Sequence, residues 1–303
     1  MDAARRLPYL LQAMAASNGS ASSVLERLRS ERPLVAVELR PPKSGLSAER
    51  SMDTWIDMYH SVRRLASHDA LIFLTDNAVG VSEEENLGHL AANLAGDVPP
   101  EKLVPFITCK HTIDYCLMYA ARAASFGLQA LTVLGGDRSV GPPRCVDHAY
   151  LLRRRIHERH PLLSLGGWAN PHRDPAEQVE FLLGEEFTGD FYLTQIVSHH
   201  NIHQVERFVR QAREAKVPFP GVFGVFYYRS ANAETLARMG QFFPVPAEGI
   251  TRDFESGLSP EEICARSIRA LREIGVTRVY VSNLGFDRPE TRYRRLLDVL
   301  ETI

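Results

Sequence analysis

Residues 103–137 read LVPFITCKHTIDYCLMYAARAASFGLQALTVLGGD, in which two short apolar runs flank a longer stretch of mixed polarity. The apolar runs, Leu103–Ile107 and Ala130–Leu134, have the length and the branched side chains of buried strands. Ile113–Phe126, between them, has its apolar residues at helical spacing, and Gly127 suits the residue after a helix end. Two strands joined in this way lie parallel, because the helix supplies the crossover. The stretch therefore predicts one βαβ unit of a parallel sheet.

The same alternation of strand and helix recurs along most of the chain. The predicted strands are Leu34–Val37, Leu71–Leu74, Leu103–Ile107, Ala130–Leu134, Leu163–Gly167, Phe191–Leu193, Val222–Phe226 and Val279–Val281. Helical periodicity marks Ser51–Ala66, Glu84–Leu94, Ile113–Phe126, Asp147–Arg159, Ala176–Leu183, Ile202–Ala215, Ala233–Met239, Pro260–Ile274 and Pro289–Leu300. Eight such units close a barrel of roughly 250 residues. We therefore predict one domain of the α/β class, a (β/α)8 TIM barrel over residues 33–303.

Two segments are longer than a barrel requires. Residues 1–32 precede the first strand and predict an N-terminal helical extension around the small-residue spacer Ser17–Ser23. We interpret this extension as a cap on the barrel bottom or as an arm that binds a partner. Its apolar part, Tyr9–Ala16, is too short for the core of a secretory signal. Residues 241–257 predict a loop or a short helix beside the active site.

Composition argues against a membrane or nucleic-acid partner. The 35 basic and 37 acidic residues give a net charge of −2, which creates no field that attracts nucleic acid. The basic clusters Arg153–Arg155 and Arg292–Arg295 fall on predicted helices, where we expect solvated outer faces. No apolar run approaches the ~20 residues that span a bilayer.

Cysteine usage predicts a reducing compartment. Cys109, Cys116, Cys145 and Cys264 have neither the spacing of a metal site nor a secretory context, so we expect free thiols. Together with the absence of an apolar span, this pattern predicts a soluble, cytoplasmic protein.

Polar or aromatic residues follow nearly every predicted strand. In strand order they are Glu38, Thr75, Thr108, Asp137, then Trp168 with Asn170 and His172, then Gln195, then Tyr227 with Tyr228, and finally Ser282 with Asn283. The carboxyl ends of barrel strands meet on one face, where the active sites of such enzymes lie. We therefore expect these residues to line one pocket.

Glu38 is the first candidate for catalysis. A carboxylate at the inner end of a barrel strand is partly desolvated, and desolvation raises its pKa toward the range of a general acid. The alternative is a structural glutamate paired with Arg40. Position alone supports both interpretations equally.

Asp137 and Gln195 are candidates for ligand binding. Gly135 and Gly136 would let a ligand approach the backbone closely, and Asp137 would then face ring N–H groups or a ribose hydroxyl. The amide of Gln195 offers a donor and an acceptor, which suits a pterin or a pyrimidine-like ring. Alternatively, the glycines form an ordinary turn and Gln195 joins two loops.

The histidines after the sixth strand raise the question of a metal. His199 and His203 are four residues apart and could share a helix face, with His200 beside them. The carboxylate general base of a zinc protease motif is absent between them, so we predict no metal. The glycine-rich pieces likewise match neither a phosphate-binding loop nor a dinucleotide fingerprint.

Taken in order, several motifs resemble those of the methylenetetrahydrofolate reductase family. They are Val37-Glu38-Leu39-Arg40-Pro41-Pro42, Thr108-Cys109, Leu134-Gly135-Gly136-Asp137, Trp168 through His172, and Leu193-Thr194-Gln195. The resemblance implies a (β/α)8 barrel that uses FAD to carry a hydride from NADH or NADPH to 5,10-methylenetetrahydrofolate, giving 5-methyltetrahydrofolate. The protein would then act in one-carbon and methionine metabolism.

The resemblance also implies roles for individual residues. Glu38 resembles the catalytic acid that helps open the methylene bridge, and Asp137 the acid between flavin and pterin. Gln195 resembles the amide that binds the pterin, Thr75 a flavin contact, and Trp168 and His172 an aromatic residue and a histidine that flank the flavin. From their positions after the strands, we also predict that Tyr227 and Asn283 contact the substrate, and that Thr108 and Gly136 contact the cofactor.

The chain departs from the family at its FAD contacts. Phe106 replaces a histidine, Gly135 replaces an arginine, and Glu180, Leu183 and Gly184 stand where the family has Asn, Arg and Lys. Each lost charged hydrogen bond to the FAD phosphates costs about 1.5 to 3 kcal/mol. We therefore predict that FAD is bound weakly, bound in a different way, or absent. If it is absent, direct hydride transfer from NADH or NADPH to the methylene carbon is geometrically conceivable.

Two other functions stay open from sequence. A non-catalytic folate-binding one-carbon protein would keep the pterin contacts without redox chemistry. However, it would have no need of an acid at Glu38. A pterin-dependent methyltransferase barrel would need a corrinoid or a zinc-thiolate partner site, for which the chain has no cysteine cluster.

Overall fold

The computed structural model describes residues 23–42, 45–76, 97–138, 141–285 and 287–302. The predicted helix Glu84–Leu94 lies outside these ranges, as do residues 1–22 of the predicted extension. Among the described residues, no helix combines the length and apolar character that crossing a membrane requires.

Eight parallel strands form a closed barrel in sequence order. They are β1 (Leu34–Leu39), β2 (Ile72–Leu74), β3 (Leu103–Thr108), β4 (Ala130–Leu134), β5 (Ser164–Ala169), β6 (Phe191–Val197), β7 (Gly221–Phe226) and β8 (Arg278–Ser282). The barrel closes where β8 pairs with β1, with Val279 opposite Val35. The predicted (β/α)8 fold is confirmed.

Helices follow the strands around the outside of the barrel. The described helices are α1 (Val24–Arg29), α2 (Ala48–Ser67), α3 (Ile113–Ser125), α4 (Ala149–Arg159), α5 (Pro175–Leu183), α6 (Ile202–Glu214), α7 (Ala233–Met239), α8 (Ala247–Glu255), α9 (Pro260–Glu273) and α10 (Pro289–Glu301). Local chemistry sets several ends. Ser259 and Glu262 form a capping box at the start of α9, while Gly127 after α3 has a left-handed φ of 76°.

Several strands run further than their apolar runs. Glu38 lies inside β1, Trp168 inside β5 and Gln195 inside β6, although the predicted strands end before all three. A side chain that faces the barrel mouth can be polar without interrupting the backbone pairing of its strand. Glu38, Trp168 and Gln195 therefore sit on strands, which hold them more rigidly than loops would, whereas Asp137 lies in the loop after β4.

Aromatic side chains fill the inside of the barrel. Phe73 packs edge-on against Phe106 and Tyr280, with ring centroids 5.9 and 6.0 Å apart. Gly224 makes room for this layer, since a Cβ there would lie 2.5 Å from the Tyr280 hydroxyl oxygen. That hydroxyl donates to the Thr194 carbonyl oxygen at 2.7 Å. The layer forms a packed floor beneath the barrel mouth.

Helix α1 lies across the amino-terminal end of the barrel. Val24 and Leu28 are fully buried in the same cluster as the barrel interior. The backbone N–H of Val24 donates to Gln129, directly before β4, and Arg278 at the start of β8 donates to the Ser30 carbonyl oxygen. This helix therefore closes the end of the barrel opposite the mouth.

The prediction that Arg153–Arg155 form a solvated face is wrong at Arg153. Arg154 and Arg155 are exposed, but Arg153 is buried and donates to the Val133 carbonyl oxygen at 3.1 Å. Its guanidinium carbon also lies 5.5 Å from the ring centroid of Phe187, and burial lowers its pKa to about 10. The position of Arg153 on the helix did not predict this burial, because its long side chain extends from α4 to the Val133 carbonyl oxygen and the Phe187 ring.

Candidate active site

Glu38 lies at the mouth end of β1, on the side that faces the barrel axis. Ser282, at the end of neighbouring β8, donates from Oγ to Glu38 Oε1 at 2.9 Å. Burial raises the pKa of Glu38, and the opposing effects of Arg40 and of the Ser282 hydrogen bond are smaller. Arg40 is itself exposed to solvent. Burial therefore stabilises the protonated form of Glu38 relative to that of an exposed glutamate, which suits a general acid.

A cleft of about 690 Å³ opens beside Glu38, between α2 and the segment that follows β8. Its volume lies in the range of small-molecule sites. Asn283 also lines the cleft, and its backbone has a left-handed φ of 70°. Its side-chain Nδ2 donates to the Tyr227 carbonyl oxygen at 3.1 Å. Arg40 and Arg288 also line the cleft, and both are exposed to solvent.

Gln195 sits at an irregularity in the barrel. The pairing of β6 with β7 shifts between Leu193 and Ile196, as at a β-bulge, which re-aims the intervening side chains. The Gln195 Oε1 accepts from the Ile196 N–H at 2.9 Å, and Nε2 donates to the Phe242 carbonyl oxygen at 3.3 Å. The amide thus links β6 to the segment before α8, the arrangement expected of a residue that joins two loops.

Residues 241–257, for which the sequence predicts a loop or a short helix, contain α8 and the segment that leads into it. Helix α8 occupies Ala247–Glu255, and Phe242 just before it meets Gln195. This insertion therefore forms one wall of the mouth next to β6.

Tyr227 does not face the mouth. It packs in the outer core against α9, and its pKa is raised by burial and by a hydrogen bond with Glu261. Tyr228, one residue later, packs instead with the barrel interior, 5.0 Å from Phe226 between ring centroids. Its hydroxyl is buried without a hydrogen-bond partner among the described residues. Because strand side chains alternate, Tyr228 faces the barrel interior and Tyr227 faces the outer core.

Thr108 is held by a residue that sequence reasoning missed. The Asp76 carboxylate, which is buried, accepts from the Thr108 N–H at 2.7 Å and from its Oγ1 at 2.9 Å. His111 Nε2 lies 2.9 Å from the same carboxylate. Thr75, the predicted cofactor contact before Asp76, donates its backbone N–H to the Leu39 carbonyl oxygen. The position of Asp76, two residues after β2, was the available signal.

The Gly135–Asp137 loop contacts the guanidinium group of Arg144. Gly136 has a left-handed φ of 73°, and Arg144 donates to its carbonyl oxygen. A Cβ at Gly135 would lie 2.7 Å from the Arg144 guanidinium carbon. Arg144 therefore occupies the space beside position 135, where the resemblance expects an arginine. Asp137 lies in the same loop and is partly exposed.

Trp168 lies near the end of β5, and His172 lies in the segment that follows this strand. Trp168 packs partly buried against the barrel interior. His172 Nε2 lies 2.8 Å from the Ile196 carbonyl oxygen, so this nitrogen carries the proton and donates. The backbone N–H of His172 donates to Asn170 Oδ1 at 3.0 Å. These bonds attach the end of β5 to β6 and fix the imidazole at the rim.

The end of α5 does not fit the phosphates of FAD. Glu180 and Leu183 are exposed, Gly184 ends the helix, and the last turn carries no basic residue. A pyrophosphate needs charged or backbone donors, and an acidic side chain repels it. The end of α5 therefore provides no positively charged side chain to bind the pyrophosphate of FAD.

No family model and no curated protein matches the chain. Among solved structures, it is similar to an uncharacterized protein from Clostridium thermocellum described as binding two copies of 5-methyl-5,6,7,8-tetrahydrofolic acid. That match has a TM-score of 0.64 and 16% identity, and covers 91% of this chain and 98% of the other. It is also similar to apo-MsnO8, with a TM-score of 0.56, 12% identity, and coverage of 90% and 99%. At these identities the similarity shows the fold alone.

Proposed function

We propose that this barrel reduces 5,10-methylenetetrahydrofolate to 5-methyltetrahydrofolate, with NADH or NADPH as the hydride donor. The observation that carries the proposal is Glu38, a carboxyl at the mouth whose pKa is raised by burial. A protein that only binds folate has no need of a proton donor there. The order of motifs along the strands supports the same reaction.

Glu38 would supply the proton that the reaction consumes. In the substrate, one methylene carbon bridges N5 and N10 of the folate. Protonation of N10 as its bond to that carbon breaks gives an iminium at N5, and a hydride from the nicotinamide then forms the methyl group. Ser282 donates to Oε1 of Glu38 and leaves Oε2 to carry the acidic proton. Proton and hydride together account for the two-electron reduction.

The surroundings of Glu38 suit hydride transfer. Phe73, Phe106 and Tyr280 form an apolar floor below it, and Trp168 packs against the same interior. Such a site excludes water, which would otherwise hydrolyse the iminium. Because the end of α5 offers no grip on FAD, we propose that the hydride passes from the nicotinamide to the folate directly.

The cleft beside Glu38 provides room for the folate. Arg40 and Arg288 in its lining would attract the glutamyl carboxylates of the substrate tail. The structurally similar protein from Clostridium thermocellum is described as binding 5-methyltetrahydrofolate, which is the product of the proposed reaction. This likeness supports a folate ligand for the present chain.

The same likeness favours a second candidate, a folate-binding protein without redox activity. Calorimetry with 5-methyltetrahydrofolate, together with an assay of NADH and NADPH oxidation in the presence of 5,10-methylenetetrahydrofolate, separates the two. We expect binding and catalytic oxidation without added FAD. Binding with neither nicotinamide oxidised, with or without FAD, would establish the second candidate. Failure to bind folate would contradict both.

A further inference from the structure

A cluster of two histidines and one aspartate lies beside the barrel mouth, apart from Glu38. His199 and His200 form the turn directly after β6, and Asp253 projects from α8. The Asp253 Oδ2 atom lies 3.1 Å from His199 Nε2 and 2.8 Å from His200 Nε2. The three potential ligand atoms all lie within 4.8 Å of one another.

The two separations between Asp253 and the imidazoles are close to those between ligand atoms of a tetrahedral metal site. A zinc ion with bonds of about 2.0 to 2.1 Å places its ligand atoms roughly 3.3 Å apart. The observed contacts between Asp253 and the two imidazoles would need to lengthen by only a few tenths of an ångström. Two imidazoles and one carboxylate also form a donor set that zinc favours, with the fourth position left for water.

Neighbouring residues orient the ligand atoms. The Ser267 hydroxyl lies 3.5 Å from the Ile263 carbonyl oxygen and can donate to it, so that its oxygen accepts the Nδ1–H of His199 at 2.9 Å. With the proton on Nδ1, the Nε2 lone pair of His199 faces the Asp253 carboxylate, an arrangement that a cation between them, either a proton or a metal ion, would stabilise. Arg266 holds the other carboxylate oxygen of Asp253 at 3.4 Å. Such outer contacts commonly fix metal ligands.

The surroundings suit a partly shielded metal ion. The exposed fraction of the side chain is 9% for Asp253, 17% for His199 and 21% for His200, which leaves a path for water. Gly249 makes room for His200, because a Cβ there would lie 2.6 Å from the imidazole.

We propose that His199, His200 and Asp253 bind one divalent transition-metal ion, zinc by its ligand preference, which joins α8 to the end of β6. His203, which the sequence pairs with His199 by spacing, takes no part. Its side chain is 95% exposed, and its nearest carboxylate belongs to Glu206, 3.8 Å away. The ion would fix the insertion whose Phe242 contacts Gln195, and so the wall of the mouth beside β6.

The test uses the full-length protein, stripped with a chelator and titrated with Zn²⁺ by calorimetry and with Co²⁺ by visible absorption. We expect one equivalent to bind, with the d–d bands of tetrahedral Co²⁺. His200→Gln and Asp253→Asn should each weaken binding at least about tenfold. His203→Gln is the matched control, since it removes an exposed imidazole three residues from His200 and should leave the affinity unchanged.

A thermal-shift measurement keeps the test decisive if Asp253→Asn folds poorly. Zn²⁺ should raise the melting temperature of the wild type and of His203→Gln, but not that of His200→Gln, whose side chain is partly exposed. Equal Zn²⁺ affinity in the wild type and His200→Gln would overturn the proposal. Loss of binding in His203→Gln alone, or no binding by the wild type, would overturn it equally.

Discussion

At the scale of single residues, the proposed catalysis depends on the environment of Glu38. Water stabilises a carboxylate far better than an apolar barrel interior does, so burial favours the neutral acid. The Ser282 hydrogen bond and the charge of Arg40 act in the opposite direction but are weaker, and the pKa of Glu38 remains raised. One side chain can therefore hold a proton at a pH where exposed glutamates have lost theirs.

Replacing this acid tests its role in catalysis. We expect Glu38→Gln to lower the turnover of 5,10-methylenetetrahydrofolate by about 10²- to 10⁴-fold, the usual contribution of a general acid. Binding of 5-methyltetrahydrofolate, measured by calorimetry, should change little because the amide keeps the shape of the side chain. Glu49→Gln, at the exposed start of α2, is the matched control. Near-normal turnover by Glu38→Gln would show that Glu38 is structural.

The raised pKa of Glu38 also predicts how stability depends on pH. The folded state binds the Glu38 proton more tightly than the unfolded state does. The resulting stabilisation is present below the ordinary glutamate pKa and is lost as pH rises toward the folded value. Urea denaturation should therefore show that Glu38→Gln gains stability relative to the wild type between pH 4 and pH 8. Glu49→Gln should show no such trend, and a constant difference for Glu38→Gln would contradict the assignment.

At the scale of single elements, much of the barrel follows from sequence because strand and helix periods differ. Apolar runs located every strand, but they ended too early at Glu38 and Gln195, where the strand continues under an inward polar side chain. The bulge between Leu193 and Ile196 had no local signal, because it depends on pairing with β7. The contacts of Asp76 with Thr108 and of Arg144 with Gly136 were not predicted, because each depends on how the chain after one strand packs, although the position of Asp76 just after β2 was a signal.

Strand alternation at the end of β7 yields a paired prediction. Tyr228→Phe removes a buried hydroxyl that has no hydrogen-bond partner among the described residues. If that hydroxyl bonds to the folate, its loss should weaken folate binding roughly 2- to 13-fold. This loss is equivalent to about 0.5 to 1.5 kcal/mol. Tyr227→Phe removes a hydroxyl bonded to Glu261 in the outer core. It should lower the free energy of unfolding by a similar amount without changing folate kinetics. The reverse pattern in calorimetry and urea denaturation would show that the two residues have been assigned to the wrong faces.

At the scale of the whole molecule, the barrel carries motifs that resemble those of the methylenetetrahydrofolate reductase family, and the last turn of α5 has no basic residue. We expect the purified protein to carry substoichiometric flavin, measured by its visible absorption spectrum. Combining Leu183→Arg with Gly184→Lys should increase FAD affinity, because two cations then face the pyrophosphate. The exposed pair Arg154→Leu and Arg155→Gly on α4 serves as a control for charge changes away from the site. Stoichiometric FAD that survives dialysis of the wild type would contradict this reading of α5.

The proposed reaction is tested most directly by following deuterium from the nicotinamide to the folate. Hydride that passes straight to the methylene carbon keeps its label, whereas hydride that first reaches a flavin nitrogen exchanges with water. The protein would be incubated with 5,10-methylenetetrahydrofolate and with each stereoisomer of C4-deuterated NADH and NADPH, and the product analysed by mass spectrometry. We predict 5-methyltetrahydrofolate with one deuterium in its methyl group from one stereoisomer of the active donor. An unlabelled methyl group from every donor, or no 5-methyltetrahydrofolate at all, would contradict the account.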